Sequence, residues 1–344
     1  VIEDDLYRRC VGSTALAEEV CRRYGLGRLR GWQDLGGSWT TNLRLDVDAG
    51  PRVARIHRDW TTPERLAGLQ QTRRAVAAAG IPAVQPLPDP SGSPIVRLDS
   101  GRLVELEPFV TWDRRMNTPP QLRSGFTLLA ELHDVLRTAD LPEVLATVPY
   151  ANHLHSAEAA GLTRAGAERM RGWGDRRLAA YADAVVEHID AVTTAESVRA
   201  GDQRTQLVHG DFWDNNVLFA GDRLAAVIDF DFMAARWRVD DLALTLWFWL
   251  LEPDRGLPGH QDRLLIRGLL DRYDAAATTP LSTAERLQLP LAIARQPAWS
   301  VGRWVLIDDD EQAARRHAHQ AATELPVATT VLQQLDQWWR DLID

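Results

Sequence analysis

The sequence predicts an α+β protein in two lobes, a small antiparallel sheet followed by a mainly helical part. Its 344 residues exceed one ordinary core and fall short of three. Residues 30 to 58 alternate apolar and polar side chains between turn signals, as half-buried strands do. Beyond Trp112 the spacing turns helical.

A helix is expected over Ser13 to Tyr24. Asn42 to Val47 and Arg52 to His57 read as strands around the Asp48-Ala-Gly50 turn. Pro63 to Ala79 reads as a helix with Leu66, Leu69, Arg73 and Val76 on one face, stopped at Gly80. Pro94 to Leu98 and Leu103 to Phe109 complete five strands around one helix. The later helices are expected at 121–137, 164–200, 239–251 and over most of the chain after His260. One hairpin interrupts them, with Asn216 to Phe219 and Leu224 to Ile228 flanking Ala220-Gly-Asp222.

The formal net charge of -9 sets the chain against a nucleic-acid partner, which needs a basic stripe that the sequence lacks. No apolar run reaches the roughly 18 residues of a membrane span. The acidic start is unlike a secretory signal, and a cytoplasmic protein without a membrane partner is expected. Cys10 and Cys21 have neither a CxxC partner nor a ligand-spaced His and read as plain thiols. All basic residues other than His are Arg; Lys is absent.

Chemistry concentrates in Leu207-Val-His209-Gly-Asp211, continues through Asn216 and resumes at Val227-Ile-Asp229-Phe-Asp231. Phosphoryl transfer requires a carboxylate to orient and deprotonate the attacking hydroxyl, and oxygen ligands to hold Mg²⁺ on the phosphates. Asp211, on a turn after an apolar strand, suits the first task. Asn216, five residues on, and Asp229, at the close of the hairpin, suit the second. The H-x-D-x-x-x-x-N spacing matches the kinase catalytic-loop signature. A hydrolase metal site built on the same residues would need further His ligands at close spacing, and the sequence has none.

This stretch resembles the aminoglycoside phosphotransferase and choline kinase-like superfamily, marked by His-Gly-Asp, four residues, Asn, and then Ile-Asp-Phe. The likeness covers about residues 26 to 250. It implies a protein kinase-like two-lobed fold, with a nucleotide-binding lobe over 1–104, a hinge at 105–111 and a helical lobe over 112–344. It also implies a monomeric or homodimeric enzyme that uses ATP, or GTP, with Mg²⁺ to phosphorylate a hydroxyl of a small molecule. By the same resemblance His209 and Asp241, in Asp240-Asp-Leu-Ala243, support the loop. Gly36, Gly37, Ser38 and Thr40 cover the phosphates, and Glu105, Glu107 and Phe109 form the hinge. Arg55 stands where kinases carry a strand lysine, and alternation sets Val53, Arg55 and His57 on one face, with Val53 under the base.

One departure concerns the acid that kinases place on the following helix to pair with that basic residue. The matching helix offers Leu69, Gln70 and Gln71, with Glu64 only at its start, so either Glu64 reaches inward or another group orients Arg55. Asp214 and Asp231 are further carboxylates near the loop. For the acceptor, an amino sugar or aminoglycoside is the first expectation and an amino alcohol of the homoserine kinase branch the alternative; a nucleotide-binding pseudokinase is the non-catalytic alternative. Trp247 and Trp249 read as core, and the acidic run 307–311 as a helix start or a lure for a polycation.

Overall fold

The computed structural model describes residues 9–149, 151–198, 203–307 and 310–343. They form two compact units. The first runs through Asp113 and takes in Ala139–Leu145 and Phe219–Ile228; the second holds the remainder. A division by position along the chain does not foresee those two later segments.

In the first unit, helix α1 (Thr14–Arg23) starts at Ser13, whose hydroxyl accepts the Leu16 N–H. Strands β1 (Leu29–Asp34), β2 (Thr41–Val47), β3 (Gly50–Ile56), β4 (Val96–Arg97) and β5 (Leu103–Pro108) form one sheet in the order β1-β2-β3-β5-β4. Leu43, Leu45, Ala54, Ile56, Val104 and Leu106 pack with Ala17 and Val20 of α1. In β3 and β5, Val53 faces Glu107 and Arg55 faces Glu105 across the ladder. Helix α2 (Pro63–Ala78) bonds to that second face through Gln70 and Arg73. Both faces of β3 are thus used, and residues 54–58 are buried without alternation. The strand expected over Pro94 to Leu98 shrinks to two residues. Pro94 has no N–H for a ladder, and Ser93 bonds locally to Ile95.

The second unit contains α3 (Pro119–Thr138), α4 (Ser156–Gly172), α5 (Arg176–Val198) and β7 (Thr205–Val208), after the two-residue strand β6 (Arg114–Arg115). The expected hairpin of β8 (Val217–Ala220) and β9 (Arg223–Val227) falls largely in the Phe219–Ile228 segment of the first unit, and the chain resumes in the second with β10 (Ala234–Trp237). Helices α6 (Arg238–Leu250), α7 (His260–Ala276), α8 (Thr283–Ala294), α9 (Gln296–Trp299), α10 (Glu311–Gln333) and α11 (Leu335–Ile343) complete it, with a π-helical turn over Ser300–Val305.

Two expectations need correction here. The single helix over 164–200 is two helices, because Gly174 takes a left-handed φ of 72° that ends a right-handed helix at low cost only for glycine; Ala200 lies outside the described residues. The hairpin is also not the only strand pair after β6, since β7 and β10 form an antiparallel ladder that sets Val208 opposite Ala234. Trp247 and Trp249 are buried, as core packing predicts. Asp310 caps α10 and Glu311 pairs with Arg315, the helix-start reading of the acidic run; positions 308 and 309 lie outside the described residues. No described helix is long and apolar enough to cross a membrane.

Candidate active site

The β7–β10 ladder sets the two ends of the loop that carries Asp211. Straight after β7 the chain turns at Gly210, with φ 79°. A Cβ on Gly210 would stand 2.2 Å from the Phe232 carbonyl oxygen, so the crossing of these two backbones excludes any larger residue. Helix α6 grips the loop from behind. Asp241 accepts the His209 N–H at 2.8 Å and the Gly210 N–H at 2.9 Å. One turn on, the Thr245 hydroxyl donates to the Phe212 carbonyl at 2.6 Å.

Asp241 is fully buried and has two imidazoles beside it. His133 Nε2 of α3 lies 3.2 Å and His153 Nε2 3.5 Å from its oxygens. Burial alone would raise its pKa; the bonds and charges of these imidazoles hold it well below the usual carboxylate range. His133 in turn bonds the Tyr273 hydroxyl at 2.8 Å. The His209 ring, itself buried, accepts the Asp211 N–H on Nδ1 at 3.2 Å and packs against Phe212 and Phe230.

The Asp211 carboxylate is held by amides. Asn216 Nδ2 donates to Oδ2 at 2.7 Å and to the Asp211 carbonyl at 2.8 Å. Asn152 Nδ2 donates to Oδ1 at 2.6 Å. Burial and the nearby Asp229 charge push this carboxyl well above its ordinary range, while the Asn216 and Asn152 bonds pull the other way. Asp229 adopts a left-handed backbone, φ 64° and ψ 62°, just before a 3₁₀ turn over Phe230–Phe232 that contains Asp231. Such a conformation is uncommon outside glycine and costs on the order of 1 kcal/mol or more. Asp214, raised by burial, stands 4.0 Å from Arg115.

Asp211, Asn216 and Asp229 are therefore brought together. Asn216 spends its nitrogen on Asp211, which leaves its amide oxygen as the atom for a cation. An amide oxygen and a carboxylate fit a hard divalent ion such as Mg²⁺, which takes one or two carboxylates and fills its shell with phosphate oxygens and water. The repulsion that lifts Asp211 is what a cation beside Asp229 would relieve. Among the described residues no group of three or more His, Cys, Asp or Glu could hold a metal by itself.

The remaining expected residues lie in the first unit. Gly36, Gly37 and Ser38 form the β1–β2 turn, and Arg58 braces it by donating to the Trp39 and Ser38 carbonyls at 2.6 and 2.9 Å. Ser38 is exposed, whereas Thr40 is buried. Val53 is half-buried and Arg55 buried. Glu64 is exposed and does not turn inward. The acid beside Arg55 is Glu105, directly across the ladder. The Glu105 carboxylate also receives Arg73, Gln70 at 2.6 Å and His57 at 3.1 Å. Burial would raise its pKa, but the charges of Arg73, His57 and Arg55 with the His57 bond hold it at about 2. Glu107 binds Arg73 as well. Glu105 and Glu107, expected at the hinge, lie in β5 with their side chains bonded to Arg73 of α2. Phe109, next along, stacks under Arg44 at 4.7 Å.

The architecture of both units is that of the protein kinase-like small-molecule kinases. Structures with this fold include a microcompartment-associated aminopropanol kinase (TM-score 0.70, 16% identity, covering 96% of this chain and 99% of that one). A spectinomycin phosphotransferase solved with ADP and spectinomycin is another (0.66, 13%, 95% and 99%). A third is an amicoumacin kinase solved with AMP-PNP and Ca²⁺ (0.64, 13%, 92% and 95%). Among curated proteins, the homoserine kinase of Rhodospirillum rubrum is 28% identical over 283 residues, 78% of each chain. That of Rhodopseudomonas palustris is 26% identical over 282 residues, 78% of this chain and 77% of its own. The sequence model of the phosphotransferase enzyme family matches residues 31–281. The chain belongs to this family and is a small-molecule kinase.

Proposed function

We propose that the chain transfers the γ-phosphoryl group of ATP, or GTP, to the hydroxyl of a small amino alcohol. Asp211 accepts the hydroxyl proton as the oxygen–phosphorus bond forms, and the bond from the γ-phosphorus to the bridging oxygen breaks to release the nucleoside diphosphate. Asn216 and Asp229 hold Mg²⁺, which when bound neutralises phosphate charge. Gly36, Gly37 and Ser38 cover the phosphates and Arg55 reaches them, held by Glu105 from the neighbouring strand.

The observation that carries this reading is the Asp211 carboxylate, fixed by the neutral amides of Asn216 and Asn152 with Asp229 nearby. Neutral partners orient the carboxylate and leave its charge uncancelled, available for a proton. The acceptor class rests on similarity: curated relatives matching most of the chain are homoserine kinases. The aminopropanol kinase of the same fold points the same way. These favour an amino alcohol over an aminoglycoside.

A coupled ADP-release screen over homoserine, aminopropanol, ethanolamine, choline, spectinomycin and aminoglycosides tests the assignment. Release with an amino alcohol supports it. Release with aminoglycosides alone overturns the acceptor class, and none at all from protein that binds ATP favours the pseudokinase.

A further inference from the structure

Residues Ala151, Asn152, His153 and Leu154 are four consecutive buried positions outside any helix or strand. Loops seldom run through an interior, because their backbone groups lose water there. This one is tied on three sides. Trp299, next to the π-helical turn, donates its indole N–H to the Ala151 carbonyl at 2.9 Å. Leu154 packs into the core of α4, α5 and α10. His153 stands 3.5 Å from Asp241. Between these anchors Asn152 puts its amide on Asp211 Oδ1.

We infer that Asn152 is a positioning residue for phosphoryl transfer: with Asn216 it fixes the direction in which Asp211 accepts the substrate hydroxyl, and Trp299 holds Asn152 in place. The inference rests on Asp211 being the base. A carboxylate oxygen has two acceptor sites. With Asn216 on Oδ2 and Asn152 on Oδ1, turning the carboxylate about its Cβ–Cγ bond breaks both bonds together. The unused acceptor sites then point in fixed directions, and a hydroxyl meets the base already oriented. Without Asn152, Oδ1 loses its amide donor and the carboxylate is less firmly oriented. The other titratable groups at Asp211 are Asp229 after β9 and His209 in the loop, with Asp241 of α6 behind and Asp214 three residues on. None of them donates to Oδ1 among the bonds described.

The test uses the full chain with Asn152→Ala, Trp299→Phe and Asp211→Asn. The readouts are kcat and KM for turnover of Mg-ATP, with Asn152→Ser added as the conservative variant that keeps a short hydrogen-bond donor. Asn152→Ala should lose roughly 10- to 100-fold in kcat, and Asn152→Ser should recover part of that loss. The KM for ATP should change less than about threefold, because Asn152 acts on the base rather than on the nucleotide. Trp299→Phe keeps an aromatic ring but loses the indole N–H with its five-membered ring; it should lower kcat by about a third as much on a logarithmic scale with little change in KM for ATP, and it decides the matter if Asn152→Ala does not fold. A folded Asn152→Ala with wild-type kcat, beside an inactive Asp211→Asn, overturns the role of Asn152 alone. Wild-type turnover in Asp211→Asn overturns the assignment of the base itself.

Discussion

Glu105 in the sheet of the first unit and Asp211 in the loop of the second are both carboxylates shielded from water, and the chain surrounds them with opposite partners. Glu105 receives Arg73 and His57 as well as Gln70, and its pKa falls to about 2. Asp211 receives the side-chain amides of Asn152 and Asn216, with the Asp229 charge nearby, and its pKa rises. A buried carboxylate matched by cations is locked as an anion and holds structure. One held by neutral donors keeps its direction without losing its capacity for a proton. Shielding alone does not separate the two roles; the charge of the partners does.

Three substitutions break or sharpen that contrast. The largest effect is expected from Asp241→Asn, because an amide puts an NH₂ where the His209 and Gly210 N–H groups and the His133 ring already converge. Urea unfolding should show a loss of roughly 3–5 kcal/mol, and turnover should fall more than about 100-fold as the loop loses its anchor. Glu105→Gln should cost less, roughly 2–3 kcal/mol, because Arg73 keeps Glu107 and the new amide still accepts. The pH dependence has a definite sign. A depressed carboxyl contributes stability above its unfolded pKa and loses it as pH falls through the folded value. The wild type should therefore lose stability on acidification from about pH 5 towards 2, and the Gln variant should show less of this loss in thermal melts across that range. The smallest effect belongs to Glu64→Gln. The side chain is exposed, so nucleotide affinity by calorimetry should stay within about twofold of wild type. A larger loss would restore the helix glutamate as the partner of Arg55.

The catalytic loop was legible in the sequence because its chemistry is local: Asp211 and Asn216 are five residues apart, and the hairpin that leads to Asp229 has its own strand pattern, whereas β10 was not foreseen. Asp241 was legible only through its family motif. Asn152 was not, because it reaches Asp211 from 59 residues away inside a segment without periodicity. His133 meets Asp241 across 108 residues; its one local signal was an imidazole on an apolar helical face. In the first unit the expected pattern put an acid on the helix and a base on the strand. Here β5 supplies the acid as Glu105 and α2 supplies a cation as Arg73, an exchange that only the register between β3 and β5 reveals. The break between α4 and α5 did leave a local signal in Gly172-Trp-Gly174, which helical periodicity on both sides masked.

The most direct measurement compares turnover of Mg-ATP with nucleotide affinity in Asp211→Asn. With Asp211 as the proton acceptor, turnover falls by roughly 10²- to 10⁴-fold while ADP binding by calorimetry stays within about threefold of wild type. Turnover within about threefold of wild type, in a variant that binds ADP normally, would contradict it.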